Sequence, residues 1–102
     1  MKKAAIIGAG IGGLSSAIRL AVKGYRVDVY ESNKSYGGKM KEMSMKGFRF
    51  DMGPSLLTMP EKLDELFYLA NKNPRDYFSY SKLSCTSLVI LFQDKTSLLF
   101  LA

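Results

Sequence analysis

Apolar positions at the start of the chain predict a strand, a helix and a second strand. Residues 4–7 form a short apolar run that is typical of a buried strand. The next apolar positions have the spacing of one helix face: Leu14, Ala17, Ile18 and Ala21. Lys23 and Gly24 then indicate the end of the helix, and alternation over residues 26–30 predicts the second strand. This order predicts a βαβ unit of the α/β class.

A second alternating stretch predicts a hairpin. Four methionine and phenylalanine positions alternate with polar ones: Met43, Met45, Phe48 and Phe50. They flank Lys46-Gly47, which predicts strands over residues 40–45 and 48–51 with the turn at that dipeptide. We expect these side chains to pack in a core rather than to line a lipophilic groove.

The last part of the chain predicts an amphipathic helix and two more strands. The helix is expected over residues 59–70, because four apolar residues share one face: Leu63, Leu66, Phe67 and Ala70. Thr58 and Glu61 have the spacing of a capping box at its start. Residues 87–92 and 97–101 predict strands joined by a polar turn.

Composition narrows the class of protein. The chain has 102 residues, which suits one domain, and its net charge of +6 is scattered rather than clustered. Scattered charge argues against nucleic acid, and we expect a solvated surface rather than a patch for anionic lipid. With no histidine and one cysteine, Cys85, no zinc or other metal site is expected. The lone cysteine and the lack of a signal peptide favour the cytoplasm, with peripheral membrane association as the alternative.

Glycines between the first strand and the helix indicate nucleotide binding. Gly8, Gly10 and Gly13 occupy the glycine positions of G-x-G-x-x-G. In a Rossmann fold they allow a tight turn, close approach of a pyrophosphate, and close packing of helix on strand. The helix N-terminus then presents N–H groups and a positive dipole end to the phosphates. Glu31 follows the second strand, where a carboxylate accepts hydrogen bonds from ribose hydroxyls. A turn that serves only helix packing is the alternative.

Two later loops extend this signal. Gly37-Gly38 allows the backbone to fold beneath a nucleotide, and Lys39 is a candidate contact for a phosphate or for the ribityl region of a flavin. Gly53-Pro54 breaks the last strand of the hairpin, and such a loop can approach a planar ring closely. Taken alone, each loop is better explained as a surface turn. The dinucleotide pattern that precedes them favours ligand binding.

These motifs together resemble the carotenoid desaturases of the phytoene desaturase type. The resemblance covers residues 5–67. Its glycine loop, Glu31 and glycine pair are shared with the wider flavin amine oxidase superfamily, whereas residues 48–55 resemble more narrowly the branch of carotenoid desaturases and isomerases. Lys39 stands where arginine is common in the family. The resemblance implies FAD as cofactor, with these binding residues: Gly8, Ala9, Gly10, Ile11, Gly12, Gly13, Glu31, Gly37, Gly38, Lys39, Gly53, Pro54 and Ser55.

The same resemblance implies a function. We expect an FAD-dependent oxidoreductase of carotenoid biosynthesis that desaturates phytoene or a related lipophilic polyene by hydride transfer to flavin. A carotenoid isomerase, a retinol saturase-like flavoprotein and a nucleotide-binding fragment without activity are the alternatives. No catalytic residue is nominated, since hydride transfer to flavin requires no acid, base or nucleophile. Residues 1–58 are expected to be the N-terminal part of an incomplete FAD-binding Rossmann domain and residues 59–102 the start of a substrate domain, so the chain alone should lack turnover.

Overall fold

The computed structural model describes residues 1–54 and 56–84, and the backbone of two short strands near the end of the chain. Its elements follow in chain order: β1 (Lys3–Ile7), α1 (Ile11–Val22), β2 (Arg26–Tyr30), β3 (Glu42–Met45), β4 (Phe48–Asp51), α2 (Pro60–Leu69), a 3₁₀ turn (Pro74–Asp76), β5 (Ile90–Phe92) and β6 (Lys95–Ser97). The predicted α/β fold is confirmed: a Rossmann-like βαβ unit is followed by a hairpin and an amphipathic helix.

The βαβ unit is built from two parallel strands and the helix that connects them. β1 pairs with β2 in parallel, with Ala5 opposite Asp28, and α1 packs on both strands. Three of the four predicted stripe residues are half-buried in this interface: Leu14, Ala17 and Ile18. Ala21 is exposed, because the sheet in the described residues has only two strands and covers only part of the helix face.

Helix α1 ends as the sequence predicts. Gly24 has a φ of +85°, a left-handed conformation that glycine adopts without steric cost. Its N–H donates to the carbonyl of Ala21 (2.9 Å), and the N–H of Tyr25 donates to the carbonyl of Leu20 (3.1 Å). This pair of bonds is a Schellman motif, which turns the chain directly into β2.

The hairpin has the predicted turn but not the predicted core. Lys46 and Gly47 both have positive φ (+50° and +82°), as a type I′ turn requires, and β3 begins at Glu42 rather than at residue 40. The four methionine and phenylalanine side chains are 40% to 68% exposed: Met43, Met45, Phe48 and Phe50. The expectation of core packing was wrong for the described residues, where β3 and β4 pack only on each other and leave their apolar face open.

Helix α2 packs against α1, and its predicted apolar face is partly buried. Leu66 is buried, and Phe67 on the same face is half-buried. The predicted capping box does not form, because Met59 rather than Thr58 is the N-cap and no side chain caps the helix. Proline disfavours helical backbone in the residue before it, so the helix begins only at Pro60. Neither α1 nor α2, the helices of the described part, is long and apolar enough to cross a membrane.

The final strands differ from prediction in position. β5 and β6 pair antiparallel with Phe92 opposite Lys95, so the second strand begins two residues earlier than residue 97 and the connection is correspondingly shorter. Cys85, residues 87–89 and residues 98–101 lie outside the described residues. The domain boundary after residue 58 stays a prediction.

Candidate functional site

The glycine loop leaves the start of α1 open to an anion. The N–H of Gly8 donates to the carbonyl of Tyr30 (2.7 Å), which fastens the loop to the end of β2. Gly10 is the N-cap; it has no side chain to cap the helix, and the first turn has no acidic residue. The first helical bond is the one from the N–H of Leu14 to the carbonyl of Gly10 (2.9 Å). The N–H groups before Leu14, including that of Ile11, therefore suit a phosphate.

Gly13 is required by packing, whereas Gly12 is not. A Cβ atom at Gly13 would overlap the carbonyl oxygen of Gly8 and lie 3.1 Å from its carbonyl carbon and 3.3 Å from Cγ2 of Ile6. A Cβ atom at Gly12 would meet nothing within 4 Å. The third glycine of the motif thus serves the close contact of helix and strand that the sequence predicted.

Glu31 binds the glycine loop directly. Its Oε2 atom accepts a hydrogen bond from the N–H of Ala9 (2.8 Å), and its Oε1 atom accepts from the backbone N–H (2.9 Å) and the side-chain Nδ2 (3.0 Å) of Asn33. These bonds, first that from the Asn33 backbone and then that from Ala9, lower the pKa of Glu31 from 4.5 to about 2. The carboxylate is half-buried and ionised at neutral pH. The sequence predicted a contact with ribose and did not indicate this link to the loop.

Ala9 joins the two glycine-rich loops. It is one of the few buried residues of the described part, with 4% of its surface exposed, and its carbonyl accepts a hydrogen bond from the N–H of Gly37 (2.7 Å). A Cβ atom at Gly38 would lie 3.1 Å from Cα of Gly10, so the two glycines face each other across the loops. The candidate residues of both loops are therefore brought together, and the small size of these residues was the only sequence signal of the contact.

The third loop packs behind the second. A Cβ atom at Gly53 would overlap the carbonyl oxygen of Lys39 and lie 2.9 Å from its carbonyl carbon. The N–H of Met52 also donates to the carbonyl of Lys41 (2.8 Å). The side chain of Lys39 is exposed, and Ser55 lies outside the described residues.

Substitution of Gly53 tests this packing. Gly53→Ala is expected to destabilise the fold by about 1 to 3 kcal/mol, because the obstacle is backbone of the neighbouring loop. Thermal unfolding should show a lower midpoint, and amide NMR signals of residues 37–41 should shift. Met52→Ala, at an exposed neighbouring position, is the control. A Gly53→Ala protein with wild-type midpoint and spectrum would contradict the close contact.

Two cavities border the glycine loop. The smaller, of about 360 Å³, lies at the carboxyl ends of β1 and β2 and is lined by Ile7, Gly8, Tyr30, Glu31 and Ser32. The larger, of about 1040 Å³, is lined by Ile11 at the start of α1, by Pro54 and by hairpin residues. Lys41 rather than Lys39 is the lysine that lines it among the described residues. The sequence predicted neither Tyr30 nor Lys41 as a site residue.

The polar face of the hairpin forms part of the larger cavity. Glu42, Arg49 and Asp51 all line it. Arg49 forms ion pairs with Glu42 and, at 3.1 Å, with Asp51. Both carboxylates raise the pKa of Arg49. These residues alternate with the apolar ones in the sequence, so the two sets must lie on opposite faces of the hairpin. Once the apolar face is known to point away from the cavity, the polar residues are the ones expected to line it.

Fold and site together define a dinucleotide-binding domain, with a parallel βαβ unit, a glycine loop at a helix N-terminus and an acid after the second strand. Residues 6–72 match the model of the NAD(P)-binding Rossmann-like domain, and the chain belongs to this family.

Its relatives are enzymes named for reactions on carotenoids. The 4,4'-diaponeurosporene oxygenase of Staphylococcus haemolyticus is 46% identical over 80% of this chain and 16% of its own length. The 1-hydroxycarotenoid 3,4-desaturase of Flavobacterium sp. is 47% identical over 95% of this chain and 20% of its own. The 4,4'-diapolycopene oxygenase of Methylomonas sp. is 51% identical over 76% of this chain and 16% of its own. The chain thus spans at most 20% of these relatives' length. The predicted resemblance to carotenoid desaturases is confirmed.

Proposed function

We propose that this chain forms the FAD-binding part of an oxidoreductase of carotenoid biosynthesis, which desaturates phytoene or a related polyene. The observation that carries the proposal is the junction at Ala9, where the glycine loop, Glu31 and the second glycine loop meet. A glycine loop at a helix start, with a carboxylate beside it, suits the ADP half that FAD and NAD share. The relatives' names support carotenoid chemistry.

We propose that a dinucleotide binds to the described residues in extended form. The N–H groups of the first turn of α1, including that of Ile11, would hold the diphosphate, and Glu31 in the smaller cavity would accept bonds from the ribose. Ile11 and Pro54 both line the larger cavity, so a ligand crossing the helix start would continue there. Lys39 and Lys41 add positive charge to this region. We propose FAD rather than NAD, because the motifs after Glu31 resemble those of flavoproteins.

The role proposed for the chain's own residues is to bind and orient. FAD, when bound, supplies the two-electron oxidation. The glycines allow the cofactor to approach the backbone of the chain, and the ionised Glu31 selects the ribose. The larger cavity shields part of the ligand from water. The substrate would be a lipophilic polyene, and we propose a cytoplasmic protein that meets its substrate at a membrane surface.

An oxygenase is the second candidate function. Two of the three relatives described above carry the name oxygenase and one the name desaturase. Incubating the natural-length protein with FAD and dispersed phytoene, followed by chromatography and mass spectrometry, separates the candidates. Desaturation removes hydrogen and lengthens the conjugated system, oxygenation adds oxygen, and isomerisation leaves the mass unchanged. An oxygenated or isomerised product would overturn the desaturase assignment.

The cofactor has its own test. Purified at its natural length, the protein is expected to be yellow and to show flavin absorbance. Heat or acid should release the bound flavin as FAD. The reason is that the site's motifs beyond Glu31 resemble those of flavoproteins. As a control, thermal unfolding is followed with added FAD and with added NAD. If the protein is colourless and NAD, but not FAD, raises its unfolding temperature, the cofactor is NAD rather than FAD.

A further inference from the structure

The carboxylate of Glu31 is clamped from one side by a single residue. Asn33 donates two hydrogen bonds to Oε1, from its backbone N–H (2.9 Å) and from Nδ2 (3.0 Å). The hydroxyl of Ser32 is farther from the same oxygen, at 3.5 Å. On the other side, the N–H of Ala9 donates to Oε2 (2.8 Å). The two oxygens thus have different partners and different roles.

This arrangement leaves one oxygen for a ligand. An ionised carboxylate has about four acceptor positions, two on each oxygen. The two N–H groups of Asn33 take those of Oε1, whereas Oε2 receives one bond, from Ala9. Because Glu31 lines the smaller cavity, the remaining position on Oε2 is the one available there to a ribose hydroxyl.

The side chain of Asn33 helps to fix the orientation of this carboxylate. Rotation about the last bond of a glutamate side chain is broad and roughly two-fold, so geometry alone does not fix the plane of its carboxylate. Two donors from one residue, acting on one oxygen, restrict this rotation. We propose that Asn33 is a positioning residue for nucleotide recognition, which orients the Glu31 carboxylate towards the ribose. This proposal rests on the dinucleotide binding proposed above.

Orientation of the carboxylate also bears on the choice of ligand. A carboxylate held ionised beside the ribose accepts bonds from its hydroxyls and repels a phosphate at the 2′ position. Asn33 therefore contributes to the preference for a ribose without that phosphate. Truncating the Asn33 side chain should reduce this preference. A general loss of stability would instead weaken the binding of both kinds of ligand to the same extent.

Two small nucleotides serve as probes in NMR titrations. ADP carries the adenosine and diphosphate of FAD and NAD, and 2′-phospho-ADP adds the discriminating phosphate. In Asn33→Ala, ADP should bind about tenfold more weakly than in the wild type, and its advantage over 2′-phospho-ADP should shrink. Ser35→Ala, at an exposed position of the same loop, should bind both as the wild type does.

The pH dependence of ADP binding distinguishes a positioning role of Asn33 from a purely structural one, which would leave it unchanged. Removing the Nδ2 donor should raise the pKa of Glu31, so ADP binding by Asn33→Ala should be lost at a higher pH on acidification than in the wild type. Two ionisable residues flank this part of the site: Tyr30 lines the same cavity, and Lys34 follows Asn33 in the loop. Lys34→Gln should keep the wild-type pH midpoint.

The outcomes separate the two proposals. A wild-type protein that binds neither nucleotide would overturn the proposed dinucleotide binding. ADP binding by the wild type, with the same affinity, preference and pH midpoint in Asn33→Ala, would overturn the role of Asn33 alone. If Asn33→Ala does not fold, Asn33→Asp carries the test, because it keeps the shape and replaces the donor with a second carboxylate. It should weaken ADP binding further, and wild-type binding by Asn33→Asp would overturn the role equally.

Discussion

Gly13→Ala is expected to destabilise the fold by about 3 kcal/mol, at the upper end of the usual cost of overpacking. A Cβ atom at this position overlaps the carbonyl oxygen of Gly8 and approaches Ile6. The obstacle is mainly backbone at the end of β1, so no change of rotamer relieves it. Helix α1 would have to move away from the strand, which opens the interface that holds the βαβ unit together.

The neighbouring glycine supplies a matched control. Gly12→Ala adds the same methyl group one residue earlier, where nothing lies within 4 Å. Because alanine has the higher helix propensity, this variant should be as stable as the wild type or more stable by about 0.5 kcal/mol. Chemical denaturation followed by circular dichroism compares the three proteins. Equal midpoints for both variants would show that helix and strand are not in the close contact described.

Glu31→Gln is expected to weaken dinucleotide binding by about ten- to a hundredfold. Both carboxylate oxygens accept bonds from N–H donors, one from Ala9 and the other from Asn33. An amide has one oxygen, so its NH₂ group must face one of these donors and the loop loses a bond. The ribose also loses an ionised acceptor. Titration of the natural-length protein with FAD measures the change.

The control for Glu31→Gln is Asp28→Asn. Asp28 is an exposed acid on β2, the strand that precedes Glu31, and its substitution removes the same charge without touching the loop. It should bind FAD as the wild type does. Equal affinity of the Glu31→Gln protein and the wild type would mean that Glu31 serves only the loop. Equal weakening by both substitutions would point to net charge instead.

Glu31→Gln should also change how the stability of the fold depends on pH. The pKa of Glu31 is about 2 in the folded chain against an ordinary value of 4.5. A carboxyl group with a lowered pKa stabilises the fold fully above the ordinary value, and this contribution is lost as the pH falls from 4.5 towards 2. Acid unfolding of wild type and Glu31→Gln should therefore converge over that range. A constant difference in stability between the two would contradict the lowered pKa.

Much of the local structure could be predicted from the sequence, because short-range sterics determine it. Gly24 ends α1, because glycine readily adopts the left-handed φ required there. Lys46-Gly47 forms the hairpin turn, because a type I′ turn requires positive φ at both of its central residues. Where prediction failed locally, two short-range signals competed. Thr58 has the spacing of a cap, but Pro60 excludes helical backbone from the residue before it and moves the start of α2.

The glycine pattern and Glu31 were likewise evident from the sequence, and so was the family resemblance. The sequence did not show that Glu31 would bind Ala9, 22 residues away, or that Asn33 would clamp the same carboxylate. It also did not show that Gly38 would face Gly10, or that the apolar hairpin face would be open in the described residues.

The sequence by itself determined the order of the elements, the end of α1, the turn of the hairpin and the chemical type of the site, since these depend on residues close together in the chain. Only the tertiary structure decided how the two glycine loops and Glu31 meet at Ala9. The bonds of Ala9 with Glu31 and with Gly37 join residues that are distant in sequence. They depend on how α1 and the strands are placed and on which rotamer the surrounding donors select, and neither is encoded in any short stretch of the chain.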